Sequence, residues 1–342
     1  MLGRGPKLKR LHQQTIVITG ASSGIGLMTA KLAAQRGANV VLSSRNEADL
    51  RRVTEEIQRE GGRAAHVVAD VANPQELDEV ARVAVQTFGG IDTWVNNAGI
   101  SIFGKLTEMP LEDKRRLFDV NFWGVVNGCR TAVPHLRERG GTIVNIGSIV
   151  SDVAVPLQGI YSASKHAVQG YTNALRMELE HDRLPIAVSL VKPSAIDTPY
   201  LEHARNYMEE APSFPPPVYA PEIVAEAILR CAEKGLREIT VGGGGRMMTM
   251  MGAVAPRLSE KYMERAMLRQ QKDAGRDRET MDSLYRPKRD GHTEGPYDGY
   301  VRKTSVYTRA AMSDVTRALP WIVAGAVVAA GVRRRQGEQE RH

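Results

Sequence analysis

Cysteine is nearly missing from this chain: 342 residues hold two, Cys129 and Cys231. Two thiols build neither a disulfide framework nor a metal-ligand cluster, so a small secreted scaffold and a zinc module are excluded and a reducing compartment is expected. Both cysteines read as small core side chains on helices. Aromatic residues are scarce at 5%. None interleave with basic residues as a stacking platform for bases would require, and no nucleic-acid partner is expected. A uniform excess of one charge is lacking too. Basic and acidic residues number 27 each through residue 245, whereas 19 face 12 from residue 246 onward, so the net charge of +7 belongs to the tail. A neutral body with a basic extension is unlike a nucleic-acid binder. The basic leader over residues 1–12, with Arg4, Lys7, Lys9 and Arg10, carries no apolar stretch before the first strand. A cleaved secretory signal is therefore not expected.

What is present is an alternation of short apolar strands with helical patterns. Thr15–Thr19, Val40–Ser43, Ala64–Val68, Thr93–Asn96, Thr142–Ile146, Ile186–Val191 and Ile239–Val241 read as strands. Seven strands in this rhythm predict an α/β fold, a doubly wound Rossmann-type parallel sheet with helices on both faces and ligands beyond the strands' carboxyl ends. Glu222–Lys234 reads as the last helix of this domain, expected to span 13–245. The first strand enters Gly20-Ala21-Ser22-Ser23-Gly24-Ile25-Gly26 and a helical pattern follows. Glycines there let backbone N–H groups approach a pyrophosphate at a helix N-terminus, where the dipole favours negative charge. Further on, Tyr161 and Lys165 stand four apart, stacked on one helix face. An ammonium beside a phenol favours the phenolate, which lowers the phenol's pKa from ~10 and makes it a usable proton donor and acceptor.

Thr19-Gly20-x-x-x-Gly24-x-Gly26 and Tyr161-x-x-x-Lys165 together resemble the short-chain dehydrogenase/reductase family. Asp70-Val71 resembles its adenine-contacting pair, Asn96-Asn97-Ala98-Gly99 the signature after its fourth strand, Asn121 its helix asparagine and Ser148 its active-site serine. Pro193, Ile196 and Thr198 resemble the segment that closes over the nicotinamide, and the likeness runs from about residue 13 to 242. Ser194 departs from the pattern, standing where the family usually has glycine, and it is expected to strain that contact if the backbone there is unusual.

The resemblance implies that Tyr161 is the general acid or base of hydride transfer between an alcohol and a carbonyl. Lys165 would hold the nicotinamide ribose and depress the tyrosine pKa. Ser148 would bind the substrate oxygen, and Asn121 would hold a water linking Lys165 to solvent. A dimer or tetramer is also implied.

No carboxylate stands at residues 43–46 to accept ribose hydroxyls, and Arg45 offers a charge-assisted fork for a 2′-phosphate, so NADP is expected over NAD. Glu47 follows closely and keeps an NAD-linked alcohol dehydrogenase as the alternative. A non-catalytic redox-sensing or scaffold protein is the other alternative, though Ser148, Tyr161 and Lys165 are all present.

Ile102, Phe103, Val153, Val155, Leu157, Leu201, Tyr207, Met208 and Phe214 are expected around the substrate, with Pro212–Pro217 as a lid. They predict a small lipophilic alcohol or carbonyl. Gly242–Gly245 reads as a hinge, 246–270 as a Met-rich helical extension and 271–313 as a flexible charged linker. Leu319–Val332, uncharged and apolar between Arg317 and Arg333-Arg334-Arg335, lies in the last segment, 314–342. As a helix it would be about 21 Å long, short of the roughly 30 Å hydrocarbon core, and it is expected to attach an otherwise cytoplasmic catalytic domain to a membrane.

Overall fold

The computed structural model describes residues 6–273, 275, 281–289 and 291–313. Seven parallel strands form the central sheet: β1 (Thr15–Thr19), β2 (Asn39–Ser44), β3 (Arg63–Val68), β4 (Thr93–Asn96), β5 (Gly141–Ile146), β6 (Ile186–Pro193) and β7 (Glu238–Val241). Their order is β7-β6-β5-β4-β1-β2-β3. Inner strands such as β1, β4 and β5 are buried along their whole length, as continuous runs covered on both faces must be. Ile16 pairs with Val40 on one side and Thr93 on the other, so the chain reverses its winding beside β1 and opens a crevice at the β1 and β4 ends.

Helices α1 (Gly24–Gln35), α2 (Glu47–Arg59), α3 (Pro74–Phe88), α4 (Leu111–Phe118), α5 (Gly124–Leu136), α6 (Gly159–His181) and α7 (Pro221–Lys234) cover the two faces. Local signals fix several ends. The Asn73 side chain accepts from Gln75 N, Pro74 opens α3, and Gly89 at φ +79° stops it. One apolar cluster joins α1, α2 and α7 to the sheet, and a second joins α3, α5 and α6 around Trp94. The leader is tied down by Lys9, whose ammonium lies 2.6 Å from Asp92.

The segments after β7 differ from the sequence reading. Gly242–Gly245 is not a hinge between bodies: α8 (Gly243–Val254) starts there. A Cβ on Gly245 would lie 2.6 Å from Ile149 Cγ2 and 2.8 Å from Ser194 Cβ, so glycine serves close packing. Pro256 opens α9 (Pro256–Tyr262), which continues through a π turn at Met263–Met267. The described part of 271–313 is not a free linker. Ser283, Leu284, Ser305 and Thr308 are buried, Val301 pairs with Val218, and α10 (Val306–Met312) packs on β7 and α7. Charged composition hid this, because the segment is held largely through backbone groups and single side chains rather than an apolar stripe. Among the described residues no helix is long and apolar enough to cross a membrane. Leu319–Val332 lies outside them.

Candidate active site

The carboxyl ends of β1, β2, β4, β5 and β6 meet along one groove. Thr19, ending β1, accepts at Oγ1 from Asn97 N and Ala98 N, both at 3.1 Å, and Asn97 Nδ2 returns to Thr19 O and Gly20 O. This knots the glycine loop to the end of β4. Gly20 and Gly24 adopt φ +64° and +53°, and a Cβ on Gly26 would stand 2.1 Å from Gly20 O. The loop therefore lets a ligand reach the start of α1, as dinucleotide phosphates require. One cavity is lined by Gly20, Ser22, Ser23, Gly24, Ile25, Arg45, Asp70, Val71, Asn97, Ala98 and Gly99. An adjoining cavity of about 510 Å³ is lined by Ser148, Tyr161, Lys165, Pro193, Ile196 and Thr198. All the expected contact positions except Gly26 and Asn121 thus line two cavities that share Ile25, Asn97, Gly99, Thr198 and Tyr200, and these residues fit a dinucleotide.

Ser148 stands two residues after β5 and caps a 3-10 turn: its Oγ accepts from Val150 N at 3.3 Å, and its N–H donates to Ser151 Oγ at 3.2 Å. This capping box fixes the hydroxyl that hydrogen-bonds Tyr161. Tyr161 stands in the first turn of α6, with Lys165 one turn later. The Lys165 ammonium donates to Ile146 O at 2.8 Å and sits 5.6 Å from the Tyr161 ring centre. Burial lowers the Lys165 pKa to about 8. The Tyr161 phenol is pushed up, chiefly by burial, against opposing hydrogen bonds with Tyr200 and Ser148. The expected depression by Lys165 is not seen. The reason is physical: the ammonium is drawn to the β5 carbonyl and is itself disfavoured by burial, so desolvation of the phenol dominates.

Asn121 lies behind the two cavities rather than in their walls. It lies on a π turn (Asp119–Trp123) between α4 and α5, fully buried. Its Oδ1 accepts from Ile100 N and its Nδ2 donates to Ile100 O, both at 2.9 Å, and Nδ2 also reaches Ser164 Oγ at 3.2 Å. The amide positions the loop after β4 and the α6 serine beside Lys165. Ser194 needs no unusual backbone, because Leu157 and Arg183 are the non-glycine residues with positive φ among those described.

Arg45 sits at the end of β2 as expected, but its guanidinium donates to the carbonyls of Ser283 and, at 3.3 Å, Leu284, and lies 3.9 Å from Asp70. Asp70 also pairs with Arg116. The Gly24 N–H donates to His292 O at 2.9 Å. Residues 281–289 and 291–298 thus form a strap across the nucleotide half of the groove, with Ser283, Pro287 and Lys288 among its lining. Scattered polar residues gave no periodic sign of it.

Of the expected substrate-pocket residues, Val155 and Phe214 line the larger cavity. Ile102 and Phe103 are core, Leu157, Leu201 and Met208 form a small buried cluster, and the Tyr207 hydroxyl donates to Asp113. Hydrophobicity alone does not separate cavity wall from core. The walls come instead from Ser213–Pro217 of the lid and from Met247, Met248, Met251, Tyr262 and Met267 of the extension. Tyr200 was not foreseen either. Its ring meets Tyr161 edge-on at 5.7 Å and stacks on Phe214 at 5.9 Å, and its hydroxyl interacts with that of Tyr161. The only sequence signal was an aromatic directly after Thr198-Pro199.

The family model for short chain dehydrogenase matches residues 14–209. An uncharacterized oxidoreductase of Bacillus subtilis (strain 168), YxnA, is 42% identical over 332 residues, covering 96% of this chain and 93% of that one. A short chain dehydrogenase/reductase from Burkholderia phymatum in complex with NAD superposes with a TM-score of 0.63 at 26% identity, over 79% of this chain and 99% of that one. An alcohol dehydrogenase from the archaeon Thermococcus sibiricus complexed with 5-hydroxy-NADP gives a TM-score of 0.59 at 26% identity, over 67% and 95%. With the sheet order, the groove and the Ser148–Tyr161–Lys165 constellation, these likenesses establish that the chain belongs to the short-chain dehydrogenase/reductase family of NAD(P)-binding oxidoreductases.

Proposed function

We propose that the protein interconverts a lipophilic alcohol and its carbonyl, with NADP(H) preferred. The observation that carries this reading is the hydrogen-bonded Ser148–Tyr161 pair at the junction of a nucleotide-shaped groove and a mostly apolar cavity of about 510 Å³. A bound nicotinamide would supply or accept the hydride, held by the glycine loop, Asn97–Gly99, Lys165 and Pro193–Thr198. Tyr161 gives its phenolic proton to the substrate oxygen during reduction and takes it back during oxidation. Ser148 donates to the same oxygen and stabilises the charge that develops there. Tyr200, bonded to Tyr161, orients the phenol. Among the described residues no Lys or Arg besides Lys165 lines the larger cavity, which disfavours a phosphorylated or carboxylate substrate.

Arg45 and Arg116 lie at the end of the groove where a 2′-phosphate would sit, which favours NADP. NAD is the second reading, because the Arg45 guanidinium is already hydrogen-bonded to the strap. The exposed apolar side chains of Trp123 and Met177 suit subunit association into a dimer or tetramer, and Leu319–Val332 suits attachment to a membrane. Following nicotinamide absorbance over a panel of long-chain, cyclic and short polar alcohols and ketones tests the substrate class, and titrating NADPH against NADH tests the cofactor. Turnover confined to phosphorylated or carboxylate substrates would overturn the first, and equal affinities the second.

A further inference from the structure

The roof of the larger cavity has an unusual outer surface. On α8, Met248 and Met251 face the cavity, while Met247, Met250 and Val254, spaced i, i+3 and i+7, turn outward. On α9, Leu258 and Tyr262 continue the stripe. Exposure reaches 72% at Met247, 84% at Val254 and 62% at Leu258. Large apolar side chains this open, clustered within two short helices, mark an interaction surface rather than scatter.

Two further observations say what covers it. Met247 and Tyr262 are exposed and also line the cavity, so the cavity opens onto the stripe. Arg257, Lys261, Arg265 and Arg269 surround it, exposed and in no ion pair among the described residues, against Glu260 and Glu264 alone. An apolar stripe rimmed by unpaired cations is complementary to an anionic lipid surface: the side chains enter the acyl boundary and the cations meet the headgroups. A second protein chain would more often bring carboxylates to such cations. The described chain also ends on this edge of the sheet, where Thr308 Oγ1 of α10 accepts from Gly242 N at 3.0 Å, ahead of the apolar run Leu319–Val332.

We propose that the outer face of α8 and α9 docks on an anionic bilayer and that apolar substrate enters the cavity from the lipid, between Met247 and Tyr262. Docking rests on the surface alone; the route for substrate rests also on the oxidoreductase reading above. Cys129 and Cys231 are buried, so a cysteine placed by Leu258→Cys can be labelled selectively with a polarity-sensitive fluorophore in the full-length protein. Glu60→Cys, exposed near the opposite edge of the sheet, is the control.

Vesicles of equal parts phosphatidylglycerol and phosphatidylcholine should blue-shift the Leu258 label and expose it to quenching by brominated acyl chains. The Glu60 label should not respond, and phosphatidylcholine alone should do little. Val254→Glu with Leu258→Glu should weaken affinity for anionic vesicles on the order of tenfold or more. The same double variant should raise KM for a long-chain alcohol carried in vesicles, yet leave kcat and the KM for a short water-soluble alcohol unchanged. A Leu258 label that stays water-exposed while the protein floats with vesicles overturns the docking face. A label already blue-shifted in dilute vesicle-free buffer assigns the face to residues 314–342, and a shift that grows with protein concentration alone assigns it to a second copy; either overturns the proposal. Docking with no KM split overturns only the lipid route, and loss of all turnover in the unmodified protein overturns the enzyme reading while leaving docking intact.

Discussion

At the scale of single residues, burial decides how the site titrates. Tyr161 keeps its proton well above neutral pH because desolvation outweighs its hydrogen bonds. Carbonyl reduction should therefore be flat through neutral pH, and alcohol oxidation should climb as the medium becomes alkaline; pH profiles in both directions check this. Tyr161→Phe removes only the transferable proton and should lower kcat by roughly 10²–10⁴-fold while sparing cofactor affinity. Lys165 titrates near 8, below its ordinary 10.5. Between those values the unfolded chain holds the proton that the folded chain has released, so stability rises with pH across the window, by roughly 3 kcal/mol at most. Lys165→Met should flatten that rise in denaturant titrations taken at pH 8 and above; an unchanged slope would assign it to other groups. Residue types were legible in the sequence here, and their environment was not. The spacing Tyr161 to Lys165 locates the pair, but only the fold shows the ammonium bound to Ile146 O and the amide of Asn121 clamped on Ile100.

Elements with a strict pattern were legible, and elements held by backbone contacts were not. All seven strands of the sheet lie within two residues of their sequence-read bounds, because continuous β-branched runs between helices admit few other structures. The strap over the groove carries no period. What holds it is Leu284, fully buried against the second cluster, with carbonyls of Ser283 and Leu284 on Arg45 and of Leu284 on Arg116. Leu284→Ala should cost about 2–5 kcal/mol of stability if the strap folds with the domain, measured by denaturant unfolding. A loss below about 0.5 kcal/mol would mean that the strap docks loosely. Arg45 both holds the strap and lines the groove. Arg45→Ala should narrow the preference for NADPH over NADH by roughly 10–100-fold, the worth of a charge-assisted contact of ~1.5–3 kcal/mol. Direct binding titrations of both nucleotides check it, and an unaltered ratio would move the 2′-phosphate contact to Arg116.

On the scale of the whole molecule, charge and apolar surface are segregated in a way that the catalytic fold does not require. The neutral body through residue 245 carries Ser148, Tyr161 and Lys165, while the basic excess and the methionine stripe follow it and the run Leu319–Val332 comes near the end. Two attachments of different physics should then act on one bilayer. The cations around α8 and α9 attract anionic headgroups over about a Debye length, ~8 Å at physiological ionic strength, and salt weakens that attraction. An apolar tail inserted in hydrocarbon is indifferent to salt. Once either is engaged, the other meets the surface at high effective concentration, so the pair binds more tightly than the separate affinities suggest. Full-length protein should accordingly sediment with membranes and stay there in high salt. A chain ending at Ser313 should still bind anionic vesicles through α8 and α9, but wash off as salt is raised. If the full-length protein also washes off, the tail is no anchor; if the shortened chain never binds at low salt, the tail alone carries the attachment.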